Sequence, residues 1–146
     1  MITTIPLKIL DIADEGFHLL IKIFINGKVA NVIVDTGASK TVFDKKAIER
    51  FVQHRDFDLQ EELSTGLGTS TMMSQSTSIK KIKIGEVEIK NYKTILLDLS
   101  HVNNSYAQIG LKSIDGVLGS DILLKYNAVI DYEKKILKFK FKKIKK

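Results

Sequence analysis

The chain contains no cysteine, no tryptophan and one proline among its 146 residues. The lack of cysteine excludes disulfides, thiolate metal sites and a cysteine nucleophile, and it is compatible with a reducing compartment. No apolar run reaches the roughly 20 residues that a membrane-spanning helix needs, and the amino-terminal residues lack the pattern of a signal peptide. We therefore expect a cytoplasmic chain that makes no use of a membrane.

Positive charge is concentrated at the carboxyl end. The formal net charge is +6, but residues 134–146 carry eight Lys and no acid, which leaves −2 for the rest of the chain. Phe139 and Phe141 alternate with Lys, the period-2 pattern of a strand with one buried face. We expect a solvated edge strand, protected from unwanted pairing by its lysines, and a frayed end at 142–146. Because no reading motif accompanies the charge, we do not expect nucleic-acid binding.

Short β-strands dominate the predicted elements. Residues 17–25 and 28–34 are rich in β-branched and apolar side chains, and Asn26-Gly27 between them is a strong hairpin signal. Apolar residues at helical spacing predict a short helix from Asp44, as its cap, to about Val52. A polar stretch without a predicted element follows at 64–78.

The second half continues as a meander of strands. Turns are predicted at Gly85-Glu86 and at Lys90-Asn91, and residues 100–113 are compatible with either a loop or a short helix. Ser120 is a candidate cap for a helix over 120–126. The predicted strands are 79–84, 87–89, 92–99, 114–119, 128–132 and 136–141. The pattern indicates one mainly β domain over residues 1–146.

Asp35 follows the apolar run Val32, Ile33, Val34, where an ionised carboxylate is costly unless it is paired, hydrogen-bonded or functional. A simple strand-to-turn ending is the plainest alternative. An aspartyl-phosphate enzyme would need a second acid where Gly37 stands. The three histidines, His18, His54 and His101, are scattered and do not predict a metal site.

The order of motifs gives Asp35 a more specific interpretation. V-D-T-G-A-S at 34–39 is followed by a short helix, by G-L-G-T at 66–69 and by I-D-G-V-L-G-S-D-I-L at 114–123. This arrangement resembles the retropepsin-like aspartic proteases, especially the single-lobed bacterial type. The resemblance implies a closed or partly closed β-barrel with one or two short helices and a flap hairpin. It also implies an aspartic endopeptidase that hydrolyses extended polypeptides without a metal or other cofactor.

Peptide hydrolysis of this kind needs two carboxyl groups that share a proton, so that one acts as base while the other acts as acid. The acids Asp98, Asp115, Asp121 and Asp131 lack the following Thr/Ser-Gly. The second carboxylate is therefore expected from Asp35 of another copy, in a C2 homodimer. A module that binds peptides or dimerises without turnover is the alternative.

The resemblance also assigns roles to neighbouring residues. The catalytic segment is Asp35, Thr36 and Gly37, with the Thr36 hydroxyl directed across the dimer axis and Gly37 allowing close backbone approach. Ser39 would donate a hydrogen bond to the outer oxygen of Asp35. Retroviral members usually have an acid at the position of Ser39 and an Arg at that of Ser120, so their ion pair is absent here. The residues implied to support the catalytic loop are Ala38, Ser39, Val117, Leu118 and Gly119, and those of the flap are Gly66, Leu67, Gly68, Thr69, Met72 and Met73.

Overall fold

A computed structural model describes residues 1–53, 57–62 and 72–142 of the chain. The described residues are mainly β, with two short α-helices and two 3-10 turns (Ala13–Glu15 and Ala47–Arg50). In chain order the strands and helices are β1 (Ile2–Pro6), β2 (Lys8–Asp11), β3 (Phe17–Ile25), β4 (Lys28–Val34), β5 (Val42–Asp44), β6 (Phe57–Glu62), β7 (Met72–Ile84), β8 (Val87–Leu97), α1 (Ser100–Gln108), β9 (Gly116–Leu118), α2 (Ser120–Lys125), β10 (Val129–Asp131) and β11 (Ile136–Lys140).

β3 and β4 form the hairpin that the sequence predicts. Asn26 and Gly27 connect them with φ angles of +49° and +83°, the left-handed pair that a type I′ turn requires. Alternate residues of β3, from Leu19 to Ile25, are buried. β4 is buried through Val34, and the chain then leaves the core at Asp35.

The largest sheet of the described chain closes on itself. Its strand order is β2-β3-β4-β9-β5-β8-β7-β6, and β3 also pairs with β7 at Phe24 and Ile25. Strands β3, β4, β9, β5, β8 and β7 therefore form a closed six-stranded barrel, which confirms the predicted fold class. The barrel is filled by side chains that include Ile21, Ile23, Val32, Phe43, Ile82, Leu96 and Leu118.

A smaller sheet joins the two ends of the described chain. β11 lies at its centre and pairs antiparallel with β1 on one side and β10 on the other. The prediction of an edge strand at the carboxyl end is therefore wrong, although Phe139 is fully buried as its alternation indicates. The amide of Phe141 donates to the carbonyl of Met1 at 2.9 Å, so the termini pair within one chain.

Three local predictions need correction. β8 runs without interruption through Lys90 and Asn91, so the predicted turn there is wrong; Asn91 has a left-handed φ of +54°, but the β7–β8 pairs on either side keep one register. Part of the polar stretch 64–78 is strand, because β7 begins at Met72. The helix predicted from Asp44 is only the 3-10 turn Ala47–Arg50, whose Ala47 amide donates to Asp44 Oδ2 at 3.0 Å.

Residues 100–108, for which the sequence left loop and helix open, form α1. The amide of Ser100 donates to Asp98 Oδ1 at 2.9 Å, and hydrogen bonds from Ser100 lower the pKa of Asp98. Tyr106 of α1 is 2% exposed. It packs outside the barrel in a second cluster with Leu10, Ile12, Ile33, Leu99 and Ile114.

Candidate active site

Asp35 is the first residue after β4, and β9 determines where it lies. β9 sits between β4 and β5, parallel to the first and antiparallel to the second. The amide of Asp35 donates to the carbonyl of Leu118 at 3.0 Å. Residues 35–41, here called the Asp35 loop, thus leave one neighbour of β9 and return to its other neighbour.

The Asp35 carboxylate is held by its own loop. The Gly37 amide donates to Asp35 Oδ1 at 2.9 Å, and the Ala38 amide donates to the carbonyl of Asp35 at 3.2 Å. A Cβ at Gly37 would lie 3.3 Å from Asp35 Oδ1, a tight contact but not a clash. The resemblance implies that glycine at 37 allows close approach of backbone. One chain shows no such approach at Gly37.

Asp35, Thr36 and Gly37 are all exposed, whereas the strand residues before them are buried. The expectation that burial makes the Asp35 charge costly therefore does not hold for one chain. The carboxylate is paired with no cation among the described residues. The Asp35 loop therefore forms part of the surface, and the Asp35 carboxylate is accessible to a molecule that binds there.

Gly119 lies where the Asp35 loop passes closest to β9. A Cβ at Gly119 would lie 2.5 Å from the carbonyl carbon of Lys40 and 2.9 Å from the oxygen of Ala38. The next amide, that of Ser120, donates to the Ala38 carbonyl at 2.7 Å. Val117, Leu118 and Gly119 thus lie directly beside the loop, and only a residue without a side chain fits at 119.

Ser39 and Ser120 contact each other in a way that the sequence did not indicate. The Ser120 hydroxyl donates to the carbonyl of Ser39 at 3.3 Å. In the described structure the Asp35 carboxylate accepts its hydrogen bond from Gly37, and the predicted one from the Ser39 hydroxyl is not formed. Ser120 is also not the cap of α2, because Gly119 occupies that position and Ser120 is the first helical residue.

A polar network behind the loop centres on Asp121. From the sequence, this acid was only excluded as the second catalytic carboxylate. Asp121 Oδ1 accepts from the Thr41 amide at 2.9 Å and from the Thr41 hydroxyl at 2.8 Å. Asp121 Oδ2 accepts from the Tyr92 hydroxyl. Burial and this hydrogen bond raise the pKa of Tyr92. The residues are far apart in the chain, so the signal available was only the cap-like spacing Gly-Ser-Asp at the start of α2.

A cavity of about 350 Å³ opens beside Asp35 and Thr36. Its other walls include Ile114, Ile130 and the pair His18–Tyr106, whose ring nitrogen Nδ1 and hydroxyl are 2.5 Å apart. Burial raises the pKa of Tyr106. From the sequence, His18 was expected to be an ordinary histidine. The hairpin pairs Ile25 with Lys28 and Leu19 with Val34, so His18 lies opposite Asp35. The two-residue turn Asn26-Gly27 could have indicated this, because loop length sets the register of a hairpin.

Exposed apolar side chains border the Asp35 loop on the side of β10. Leu124 is 79% exposed and shares a cavity wall with Thr36, and Tyr132 is 63% exposed and shares one with Asp35. A second, more open cavity lies between α2 and β10, and Thr36 contributes to its wall together with Ile130. The exposed apolar surface is thus continuous with the loop that carries the acid.

The predicted flap falls only partly on described residues. β6 and β7 pair antiparallel, with Met72 and Met73 opposite Glu62 and Glu61. Gly66, Leu67, Gly68 and Thr69 lie outside the described residues, as do residues 143–146 of the Lys-rich end.

In residues 1–53, 57–62 and 72–142 no group of three or more His, Asp or Glu side chains could hold a metal ion. No described helix has the length and apolar character to cross a membrane.

The barrel, with an Asp-Thr-Gly turn held by an inserted strand, defines the retropepsin-like fold. A family model described as aspartyl protease matches residues 21–122. The chain belongs to that family.

Solved structures agree on the fold. A retropepsin-like aspartic protease from Rickettsia conorii is 22% identical, with 95% of this chain and 94% of that chain covered and a TM-score of 0.55. The retroviral protease-like domain of Ddi1 from Leishmania major is 18% identical, with 82% and 86% covered and a TM-score of 0.56. No curated protein sequence matches the chain.

Proposed function

We propose that the protein is an aspartic endopeptidase that acts as a homodimer on extended polypeptides. The observation that carries the proposal is the state of Asp35 in one chain: a carboxylate held in place by Gly37 yet exposed, beside a cavity and an apolar surface. One such carboxylate is half of a dyad. Membership of the aspartyl protease family supports peptide hydrolysis as the reaction.

The chemistry follows from two Asp35 carboxyl groups that share one proton across a two-fold axis. A water molecule between them loses a proton to the ionised group and attacks the peptide carbonyl. The protonated group stabilises the developing oxyanion, and the leaving amine is then protonated. The hydrogen bond that each Asp35 carboxylate accepts from the Gly37 amide keeps it oriented for this exchange.

The surface around β10 suits a second copy of the chain. β10 is an edge strand of the small sheet, and its Ile130 side chain lines both cavities that border Thr36. Exposed Leu124 and Tyr132 extend this surface. β1 and β11 pair with each other within one chain, so the proposed contact uses the free edge of β10.

The substrate would lie extended in the cleft between the dyad and the paired strands β6 and β7, which would act as part of the flap. The cavity beside Asp35 is walled largely by aliphatic and aromatic side chains, among them Ile114, Ile130 and Tyr106. An apolar side chain next to the cleaved bond fits this lining.

Cleavage of an unstructured protein between about pH 3 and 7 tests the proposal, with Asp35→Asn as the matched inactive control. We expect cleavage by the wild type and none by the variant, because the amide cannot take up the proton. Equal cleavage by both would contradict the proposal. Binding of the polypeptide without cleavage by either would support the alternative, a catalytically silent peptide-binding or dimerisation module.

A further inference from the structure

We propose that Asp121, acting through Thr41, is a positioning residue for the Asp35 loop. The inference rests on the proposed function for its catalytic consequence, but its structural part can be tested without activity. Retroviral members usually have an ion pair at the positions of Ser39 and Ser120, and in this chain the contacts of Asp121 would hold the loop in its place. Their remaining contact is one hydrogen bond of 3.3 Å at an exposed position, which is a weak anchor.

A single peptide group joins the two ends of the loop. The carbonyl of Leu118 accepts from the Asp35 amide at 3.0 Å. The amide of the same peptide group, that of Gly119, donates to Thr41 Oγ1 at 2.9 Å. Because a peptide group is planar and rigid, the start of the loop at Asp35 and its end at Thr41 are fixed relative to each other through it.

Thr41 can serve in this way only while its hydroxyl is oriented. The hydroxyl has one proton, which it donates to Asp121 Oδ1 at 2.8 Å, so that a lone pair is directed at the Gly119 amide. The Thr41 carbonyl also accepts from Thr94 Oγ1 at 3.1 Å. Thr41 is 2% exposed, so water does not compete for these bonds.

Asp121 is itself restrained. Its Oδ1 accepts twice from Thr41, and its Oδ2 accepts from the Tyr92 hydroxyl. The acid, a charged acceptor, makes stronger bonds than a neutral side chain would. The path therefore runs from Tyr92 and Asp121 to Thr41, then through one peptide group to Asp35.

Thr41→Val removes the hydroxyl while keeping the side-chain shape, and Thr41→Ser restores the hydroxyl. We expect Thr41→Val to lower kcat about tenfold with KM changed by less than about twofold, because misplacement of a reacting group affects the chemical step. Thr41→Ser should recover most of kcat. Hydrogen exchange should be at least about tenfold faster at the amides of Asp35 and Gly119 in Thr41→Val.

Thr3→Val is the matched control for loss of a buried threonine hydrogen bond. Thr3 is 6% exposed and its Oγ1 accepts from the Glu86 amide at 3.1 Å, away from the Asp35 loop. It should lower the melting temperature in the same way but leave kcat and the exchange of Asp35 unchanged. If Thr41→Val does not fold, Asp121→Asn replaces it in the comparison with wild type and Thr3→Val. This variant weakens the hydrogen bonds that Asp121 accepts from Thr41 and Tyr92.

The outcomes separate the two proposals. Wild-type kcat and unchanged exchange in Thr41→Val, or an equal loss of kcat in Thr3→Val, would overturn the positioning role. No cleavage by the wild type would contradict the proposed function, and the exchange of the Asp35 and Gly119 amides would then still decide whether Asp121 and Thr41 hold the loop.

Discussion

Gly119 is the residue at which the Asp35 loop leaves no room for a side chain. A Cβ there would meet backbone atoms of Lys40 at 2.5 and 2.6 Å, and backbone cannot rotate away as a side chain can. We expect Gly119→Ala to destabilise the fold by about 1–3 kcal/mol, the usual cost of overpacking. Urea unfolding followed by circular dichroism measures this.

Gly37→Ala is the matched comparison. Its Cβ would meet one side-chain atom of Asp35 at 3.3 Å, so the free energy of unfolding should fall by less than about 1 kcal/mol. An equal loss in the two variants would contradict the view that β9 and the loop are in contact at Gly119.

Tyr92 provides a test of its bond to Asp121 through pH. Burial and the carboxylate raise the pKa of Tyr92 in the folded state, so its contribution to stability is complete below the unfolded value of about 10 and decreases above it. Tyr92→Phe should therefore be less stable than wild type by about 1 kcal/mol at pH 8. The difference should shrink at pH 11, because the unfolded wild-type chain then gains stability by losing the proton.

Unfolding in urea at the two pH values gives the comparison, and Tyr132→Phe, at a position 63% exposed, is the control. A difference between Tyr92→Phe and wild type that stays constant from pH 8 to 11 would show that Tyr92 is not held by Asp121.

The roles of single residues could be predicted from the sequence where the residues that indicate them are adjacent in the chain. Asp35 could be identified because the strand, the turn glycine and the following Ala-Ser are adjacent in the chain. The role of Asp121 could not be identified, because its partner Thr41 is 80 positions away and the cap-like spacing Gly-Ser-Asp does not indicate which residue Asp121 contacts. Exposure of Asp35 was also missed, since alternation predicts the burial of a strand but not where the strand leaves the core.

At the scale of elements, the two edge strands of the small sheet, β10 and β1, are expected to differ in their contribution to dimerisation. β10 borders the Asp35 loop, whereas β1 lies at the opposite edge. Tyr132→Lys, at a position 63% exposed directly after β10 and in the wall of the cavity beside Asp35, should raise the dimer dissociation constant about tenfold or more, by placing like charges near the two-fold axis.

Ile2→Lys on β1, at a position 54% exposed, is the matched control and should leave the dimer unchanged. Sedimentation over a range of concentrations measures both. Weakening by Ile2→Lys alone, or by both variants equally, would contradict the assignment of the interface to β10.

Elements were predicted well where both partners are close in the chain, as in the β3–β4 hairpin. The turn predicted at Asn91 failed because a left-handed asparagine can sit within a long strand when pairing on both sides persists. The position of β11 was wrong for a different reason. Alternation indicates that a strand has a buried face, but not whether distant strands such as β1 pair along both of its edges.

For the whole molecule, the closed barrel determines that the Asp35 loop lies at the surface of one chain. The β3–β7 pairing closes the barrel and leaves the Asp35 loop exposed beside β10. Barrel class could be predicted from the order of motifs, and the proposal of a second copy follows from the single Asp-Thr-Gly. The surface proposed to contact that copy could not be predicted, because α2 and β10 come together only after folding.

Mixing wild type with Asp35→Asn tests the shared dyad most directly. With a threefold excess of the variant and full exchange of subunits, random pairing in a C2 dimer leaves only about one quarter of the wild-type chains with a wild-type partner. The account predicts that cleavage per wild-type chain falls to about that fraction of its value alone. Cleavage that is unchanged by the variant would show that each chain holds a complete site and would contradict the account.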